Sequence, residues 1–406
     1  MVPEKKMITT ATRPFKRYEE DYKWHSIRRA REAGTITEGD ADRIREFIES
    51  QKARGRTEGY LLHMVIGLCQ WGQYLSPFDK IAPKAVTRGI TGLMGTLGTG
   101  TVNQRINALK VFASWMIDQG YAQSLTHEDI RRIKKVKDSG KSKSIRTGDI
   151  LTPAEVLRIL ERGALNTRDK ALISLLYESG CRIQEACTLT WSDLTFDKYG
   201  VQMNVQGKTD KPRYVRLAMA AEYMSAWKRD YPRDFAAEGD ALVFVTHNQW
   251  KSRGTSLPMS YEPTRELIIG MAKRAGITKR VRPHLFRHSR ITHLLQQGYP
   301  ESIVKMVMWG TLKTDMLGTY GHLVQLDTDK AVLERLGILP QEGMKDNPLA
   351  PRQCPSCHTV CGPDAAYCSK CGTPLTGEAS IDERQTLAEI RSTALYQTIM
   401  KDLRQV

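Results

Sequence analysis

Leu172–Leu194 reads LISLLYESGCRIQEACTLTWSDL, and the break at its centre decides how the surrounding chain is read. From Thr167 to Ser179 the apolar density predicts a buried helix, and Gly180 supplies the left-handed residue that closes one. Arg182 then emerges at a helix junction with its guanidinium free, and Glu185, three residues on, is placed to orient it. Upstream, Thr152-Pro153-Ala154-Glu155 opens a helix: Thr152 caps it, Pro153 takes the first helical position, Glu155 completes a capping box, and Gly163 ends it. Downstream, Val201–Gln206 and Arg213–Leu217 read as short strands joined by GKTDKP, a hairpin with Lys208 at its mobile tip. Helical patterns follow over about Pro263–Ala275, His284–Gln297, Glu301–Met308 and Thr328–Leu336. The fold class predicted is mainly α with a small antiparallel sheet, α+β.

Outside this region the chain is helical at its start and rich in cysteine at its end. Residues 1–36 read as a basic helical arm and 37–130 as a helical domain. In the latter, Thr101–Ile117 carries Val102, Ile106, Leu109, Phe112, Trp115 and Met116 on one stripe, a core face. The other face offers Asn103, Arg105, Asn107 and Lys110, residue types suited to phosphates or base edges and equally to a solvated surface. Residues 131–150 read as a basic linker, 151–340 as the next domain, 350–376 as a cysteine module and 377–406 as a final helix.

Charge points to the partner. Lys and Arg number 61 against 45 acids, a net +16 over 406 residues, and the excess is clustered. Arg131–Arg146 holds eight basic residues and one acid, and Lys279–Arg290 holds five and none. Such clusters are footprints for phosphates, whose neutralisation releases counterions. Lys134, Lys135, Lys137 and Arg290 join Arg105 and Lys110 as candidate DNA contacts. No stretch of about 18 uncharged apolar residues occurs, and the start lacks an apolar signal core, so a cytoplasmic, nucleoid-associated protein is expected.

Of eight cysteines, five lie between Cys354 and Cys371. Cys354-x-x-Cys357 and Cys368-x-x-Cys371 have the spacing of two zinc knuckles, a closed tetrathiolate site that suits structural zinc. Cys361 is a spare thiol, and Cys69, Cys181 and Cys187 are expected to be small buried residues.

Four short pieces carry the chemistry: Gly180–Glu185 with Arg182, the hairpin tip with Lys208, His284-Leu285-Phe286-Arg287-His288-Ser289, and LGTYGHL with Tyr320. His284 and Arg287, at i and i+3, share one helix face. Each piece alone is weak, since a lone tyrosine is more often a packing residue. In this order and combination they resemble the catalytic domain of the tyrosine recombinases, the phage integrase family, over about Ile150–Gly337. LISLLYESGCRIQEACTLTWSDL resembles the family's first arginine motif, VQGKTDKPRYVRL its lysine hairpin and HLFRHSRITHLL its His-x-x-Arg helix. The whole chain is also similar to archaeal integrases with a helical core-binding domain and a C-terminal zinc ribbon.

The resemblance implies site-specific DNA recombination through a 3′-phosphotyrosyl intermediate, on a double-stranded attachment site, by a homo-oligomer that is a tetramer on DNA. The residue types fit that chemistry. Tyr320 attacks phosphorus, Arg182 and Arg287 offer forks to the non-bridging oxygens, His284 donates a further hydrogen bond, and Lys208 protonates the leaving 5′-oxygen. No catalytic metal or nucleotide is implied. The family usually places a His or Trp shortly before the tyrosine. Here Thr311 has the usual nine-residue spacing, and Trp309, two residues earlier, has the better donor chemistry; the reading favours Trp309. His322, after the tyrosine, is given no catalytic role. Integration or excision of a mobile element is favoured over Xer-like dimer resolution, over a catalytically decayed DNA-binding regulator, and over a topoisomerase.

Overall fold

A computed structural model describes residues 16–122, 124–137, 147–206, 212–232, 237–246, 259–320, 336, 338, 347–396 and 400. Lys208, His322, residues 138–146 of the basic linker and most of the helix expected over 328–336 lie outside these residues. The chain divides into two compact units, residues 13–143 and a unit that holds residues 144–406.

The first unit consists of helices α1 (Lys16–Glu32), α2 (Glu38–Ala53), α3 (Glu58–Leu75), α4 (Pro83–Met94), α5 (Thr99–Asp118) and α6 (His127–Arg132). α3 is central, with α1, α4 and α5 packed on it. α1 is thus part of this unit and not the separate arm expected: Ile27 and Ala30 are in its core, and buried Lys23 pairs with Glu58. Asp40 closes a capping box with Thr37 and also accepts from Ser76 Oγ (2.5 Å) and Phe78 N–H (2.7 Å), tying the start of α2 to the turn after α3. The predicted α5 stripe is buried throughout. Phe112 meets Phe47 and Phe78 edge-on, with ring centroids 5.2 and 5.3 Å apart.

In the second unit, Thr152 and Glu155 form the predicted capping box at the start of α7 (Pro153–Arg158), which runs into a π-helical turn over Ile159–Gly163. A Cβ on Gly163 would lie 2.4 Å from the Met271 carbonyl oxygen, so only glycine fits where the chain crosses there. α8 (Thr167–Ser179) is buried almost throughout. It leads through α9 (Ile183–Cys187) to a three-stranded antiparallel sheet, β1 (Leu194–Asp197), β2 (Gly200–Gln206) and β3 (Pro212–Leu217), in the order β1-β2-β3. β2 and β3 form the expected hairpin, with Gln206 opposite Pro212. α10 (Ala221–Arg229), α11 (Tyr261–Arg274), α12 (Pro283–Gln296) and α13 (Glu301–Trp309) complete the domain. The Glu178 carboxylate, on α8, accepts from the backbone N–H groups of Ala218, Met219 and Ala220 at 2.8–3.0 Å and so fixes the start of α10.

The cysteine module pairs β4 (Arg352–Gln353) with β5 (Val360–Cys361) and precedes α14 (Gly377–Ser392), whose residues are nearly all exposed. It docks on α10: Gly362 N–H donates to Glu222 Oε2 (2.5 Å), and the Tyr223 hydroxyl to Asp364 Oδ1 (2.5 Å).

Candidate active site

The backbone at Gly180 turns with φ 57°, the left-handed cap predicted for the end of α8. Arg182 is consequently delivered to the start of α9, its side chain 37% exposed. Its guanidinium is not entirely free as expected: Nη1 donates to Glu185 Oε1 at 2.7 Å. Glu185 Oε2 accepts from the Arg182 backbone N–H (2.8 Å) and from Arg213 Nη2 (2.8 Å). Burial pushes the Glu185 carboxyl up, but Arg213 and the bonds from Arg182 outweigh it and hold the group below the usual carboxylate range.

Arg213 was not singled out by the sequence reading. It is buried, and its Nη1 donates to the carbonyls of Val307 (2.6 Å) and Ser179 (3.3 Å). A basic residue just inside a strand looks like an ordinary hairpin charge until the strand is packed on α8 and α13.

α12 begins at Pro283, which places His284 at its exposed start and Arg287 one turn later in the interior. Arg287 donates to Gly180 O (2.6 Å) and Met308 O (2.7 Å), engaging two of a guanidinium's five N–H groups. Burial lowers its pKa to about 10, helped by the charges of Arg213 and Arg182, so it stays cationic at neutral pH. Three guanidiniums therefore act on one another around a single neighbouring carboxylate. The surplus positive charge is held in place by hydrogen bonds before any substrate arrives, which is what an oxyanion needs. Desolvation, then Arg287 and Arg182, push His284 below its ordinary pKa.

Tyr320 follows a 3-10 turn over Met316–Thr319 and packs with Ile291, Leu294, Val304, Met308 and Leu317. Its hydroxyl is 2.6 Å from Nδ1 of His288, the residue after Arg287. Burial raises the phenol's pKa while Arg287 draws it down. His288 lay inside the quoted motif but received no role from the sequence; the contact that marks it joins residues far apart in the chain.

Trp309 ends α13 with its ring over the Arg287 guanidinium, 5.1 Å from Cζ to centroid. Thr311 lies past the Gly310 cap, its Oγ1 accepting from Lys313 N–H at 3.2 Å.

Two expected DNA contacts turn inward. Arg105 is buried; its Nε donates to Gln70 Oε1 (2.6 Å), and its stem packs where Gly67 leaves room for it. Arg290 is half-buried, with Nε on Glu178 O (3.2 Å) and the guanidinium over Tyr177. Lys110 donates to Ile133 O at 3.1 Å, and Asn103 clasps Val136 through both its N–H and C=O. The linker over 133–137 is accordingly strapped to α5 while Lys134, Lys135 and Lys137 stay exposed. Beside it an open cleft of about 690 Å³ is lined by Arg54, Lys110, Arg131, Lys134 and Lys135 among others.

The thiol sulfurs of Cys354, Cys357, Cys368 and Cys371 all lie within 4.8 Å of one another, with Cys354–Cys371 and Cys357–Cys368 at 3.5 Å. Zinc–sulfur bonds of about 2.3 Å in a tetrahedron set sulfurs about 3.8 Å apart, so the four fit such an ion. Cys361 is buried outside this group, near Thr359 O. Cys181 and Cys187 are buried as expected, and Cys69 is half-buried.

Residues 149–324 match the phage integrase family, and over this stretch the chain is similar to tyrosine recombinases. The chain is 28% identical over 288 residues to the tyrosine recombinase XerD of Oceanobacillus iheyensis, covering 67% of this chain and 90% of that one. It is 29% identical over 203 residues to XerC of Xanthomonas axonopodis pv. citri, covering 49% of this chain and 60% of that protein's length. Among solved structures, XerH bound to a palindromic difH substrate after cleavage aligns with a TM-score of 0.54 at 19% identity, covering 79% of this chain and 95% of that one. A lambda integrase tetramer bound to a Holliday junction aligns at 0.53 and 15%, covering 69% and 76%. Among the described residues no helix is long and apolar enough to cross a membrane.

Proposed function

We propose that this protein cuts and rejoins DNA at a specific site through a 3′-phosphotyrosyl intermediate on Tyr320. The observation that carries this reading is the Tyr320 hydroxyl seated 2.6 Å from His288, one residue after Arg287 in the Arg182–Glu185–Arg213 cluster. A phosphate entering the cluster meets Arg182 and Arg287 on its non-bridging oxygens and His284 as a further donor. The negative charge that builds on those oxygens during attack is offset by groups already in place, with no reorganisation at the moment of reaction. Lys208 protonates the departing 5′-oxygen. Trp309, beside Arg287, fills the position before the tyrosine in preference to Thr311.

The exposed lysines at 134, 135 and 137 hold the DNA backbone, and the four-cysteine group holds structural zinc with no part in the chemistry. In the cell the protein works in the cytoplasm on the nucleoid, as a tetramer on an attachment site, to integrate or excise a mobile element of the archaeal type named above. Dimer resolution is the second reading, favoured by the likeness to XerC and XerD. A duplex nicked within the cognate site tests the proposal. Cleavage releases a short strand and traps the protein covalently, and Tyr320→Phe abolishes trapping. A covalent product that persists in Tyr320→Phe, or that forms equally on any sequence, contradicts it.

A further inference from the structure

We propose that His288 is the proton acceptor for the Tyr320 nucleophile, a catalytic residue additional to the arginines, His284 and Lys208. This rests on the reading of Tyr320 as the nucleophile. The 2.6 Å contact joins the phenolic oxygen to Nδ1, and the two rings are 5.6 Å apart between centroids. With the ring hydrogen on Nε2, the lone pair at Nδ1 faces the phenol and the hydroxyl donates into it. Among the described residues, the ionisable groups that act on His288 are His284 and Arg287 on its own helix and Tyr320 from the turn after α13. Burial, then His284 and Arg287, lower its pKa to about 4, so the ring is neutral and able to accept at working pH. Burial raises the phenol, so a base is needed if attack is to occur near neutrality.

The step balances. As the Tyr320 oxygen bonds to phosphorus, its proton passes to His288 Nδ1. The bond from phosphorus to the 5′-oxygen breaks with its electron pair, and that oxygen takes a proton from Lys208. On rejoining, the 5′-hydroxyl gives its proton back to Lys208 as it attacks phosphorus, the bond from phosphorus to the Tyr320 oxygen breaks with its electron pair, and His288 returns its proton to that oxygen.

The test measures single-turnover cleavage of the nicked duplex by the full chain from pH 6 to pH 9, with DNA binding measured in parallel. His288→Ala is expected to bind DNA and to cleave about 10²–10⁴-fold more slowly near neutrality. The deficit should shrink by about tenfold per pH unit as solvent takes over ionisation of the phenol. His288→Asn keeps an acceptor oxygen near the Nδ1 position but no basic nitrogen, and is expected to share the defect and its pH dependence. Wild-type rates in His288→Asn would reduce His288 to a holder of the tyrosine and overturn the proposal. So would a deficit constant across pH, or cleavage accelerated by either substitution. Absence of trapping in the wild-type protein would instead remove the recombinase reading itself.

Discussion

Around Glu185 the guanidiniums of Arg182 and Arg213 are held by one carboxylate, and Arg287 beside them is anchored on two carbonyls. Along 133–137 the arrangement is reversed. Asn103 and Lys110 hold the backbone, while the side chains of Lys134, Lys135 and Lys137 stand in solvent. Under the proposed function, the difference is one of task. A transition state lasts too briefly for side chains to reorganise around it, so its charges are fixed beforehand, with burial offset by hydrogen bonds. A DNA backbone is met at many equivalent phosphates and is served by mobile, hydrated cations on a positioned main chain.

Removing the carboxylate should affect the first region most. Glu185→Ala leaves Arg213 buried without its partner, and a loss of about 3–5 kcal/mol is expected in urea unfolding. Its pH counterpart has a definite sign. Glu185 is depressed in the folded state, so its stabilisation is present above the ordinary carboxylate pKa and disappears as pH falls through the lowered one. Unfolding measured from pH 7 downward should show that loss in the wild type and not in the variant.

Arg105 sharpens the contrast, because the sequence places it with the DNA-facing residues and the fold with the core. Arg105→Ala is expected to cost about 1–3 kcal/mol of stability, from the unpaired Gln70 and the lost stem packing, and to leave the salt dependence of DNA binding unchanged. A flattened salt slope with intact stability would return it to the DNA contacts.

Neutralising Lys134, Lys135 and Lys137 should do the opposite. Binding weakens about equally on all sequences, and the slope of log affinity against log salt falls by about one per lost contact, without change in unfolding. The smallest expected effect on cleavage is that of chelation. Stripping metal should raise hydrogen exchange over 350–376 and leave the cleavage rate unchanged; a demand for added zinc or magnesium in the cleavage step would contradict the assigned chemistry.

Residues whose partners lie close in sequence were legible before the fold. Gly180 announced the turn that presents Arg182, the i, i+3 spacing put His284 and Arg287 on one face, and the cysteine intervals gave four converging sulfurs. What escaped depends on contacts distant in sequence. Arg213 meets Val307, Tyr320 meets His288, and Arg105 turns inward because Gly67 on another helix leaves space for it. β1 was missed because four residues entered from a 3-10 turn are too few for alternation to register.

The central claim is that the Tyr320 oxygen becomes covalently attached to the cut strand. Digesting the trapped complex with nuclease and trypsin, then sequencing the peptides by mass spectrometry, tests it directly. The account predicts a nucleotide 3′-phosphate on Tyr320 within the peptide that runs from Thr314 to Lys330. An adduct on any other residue, with that peptide unmodified, would contradict it.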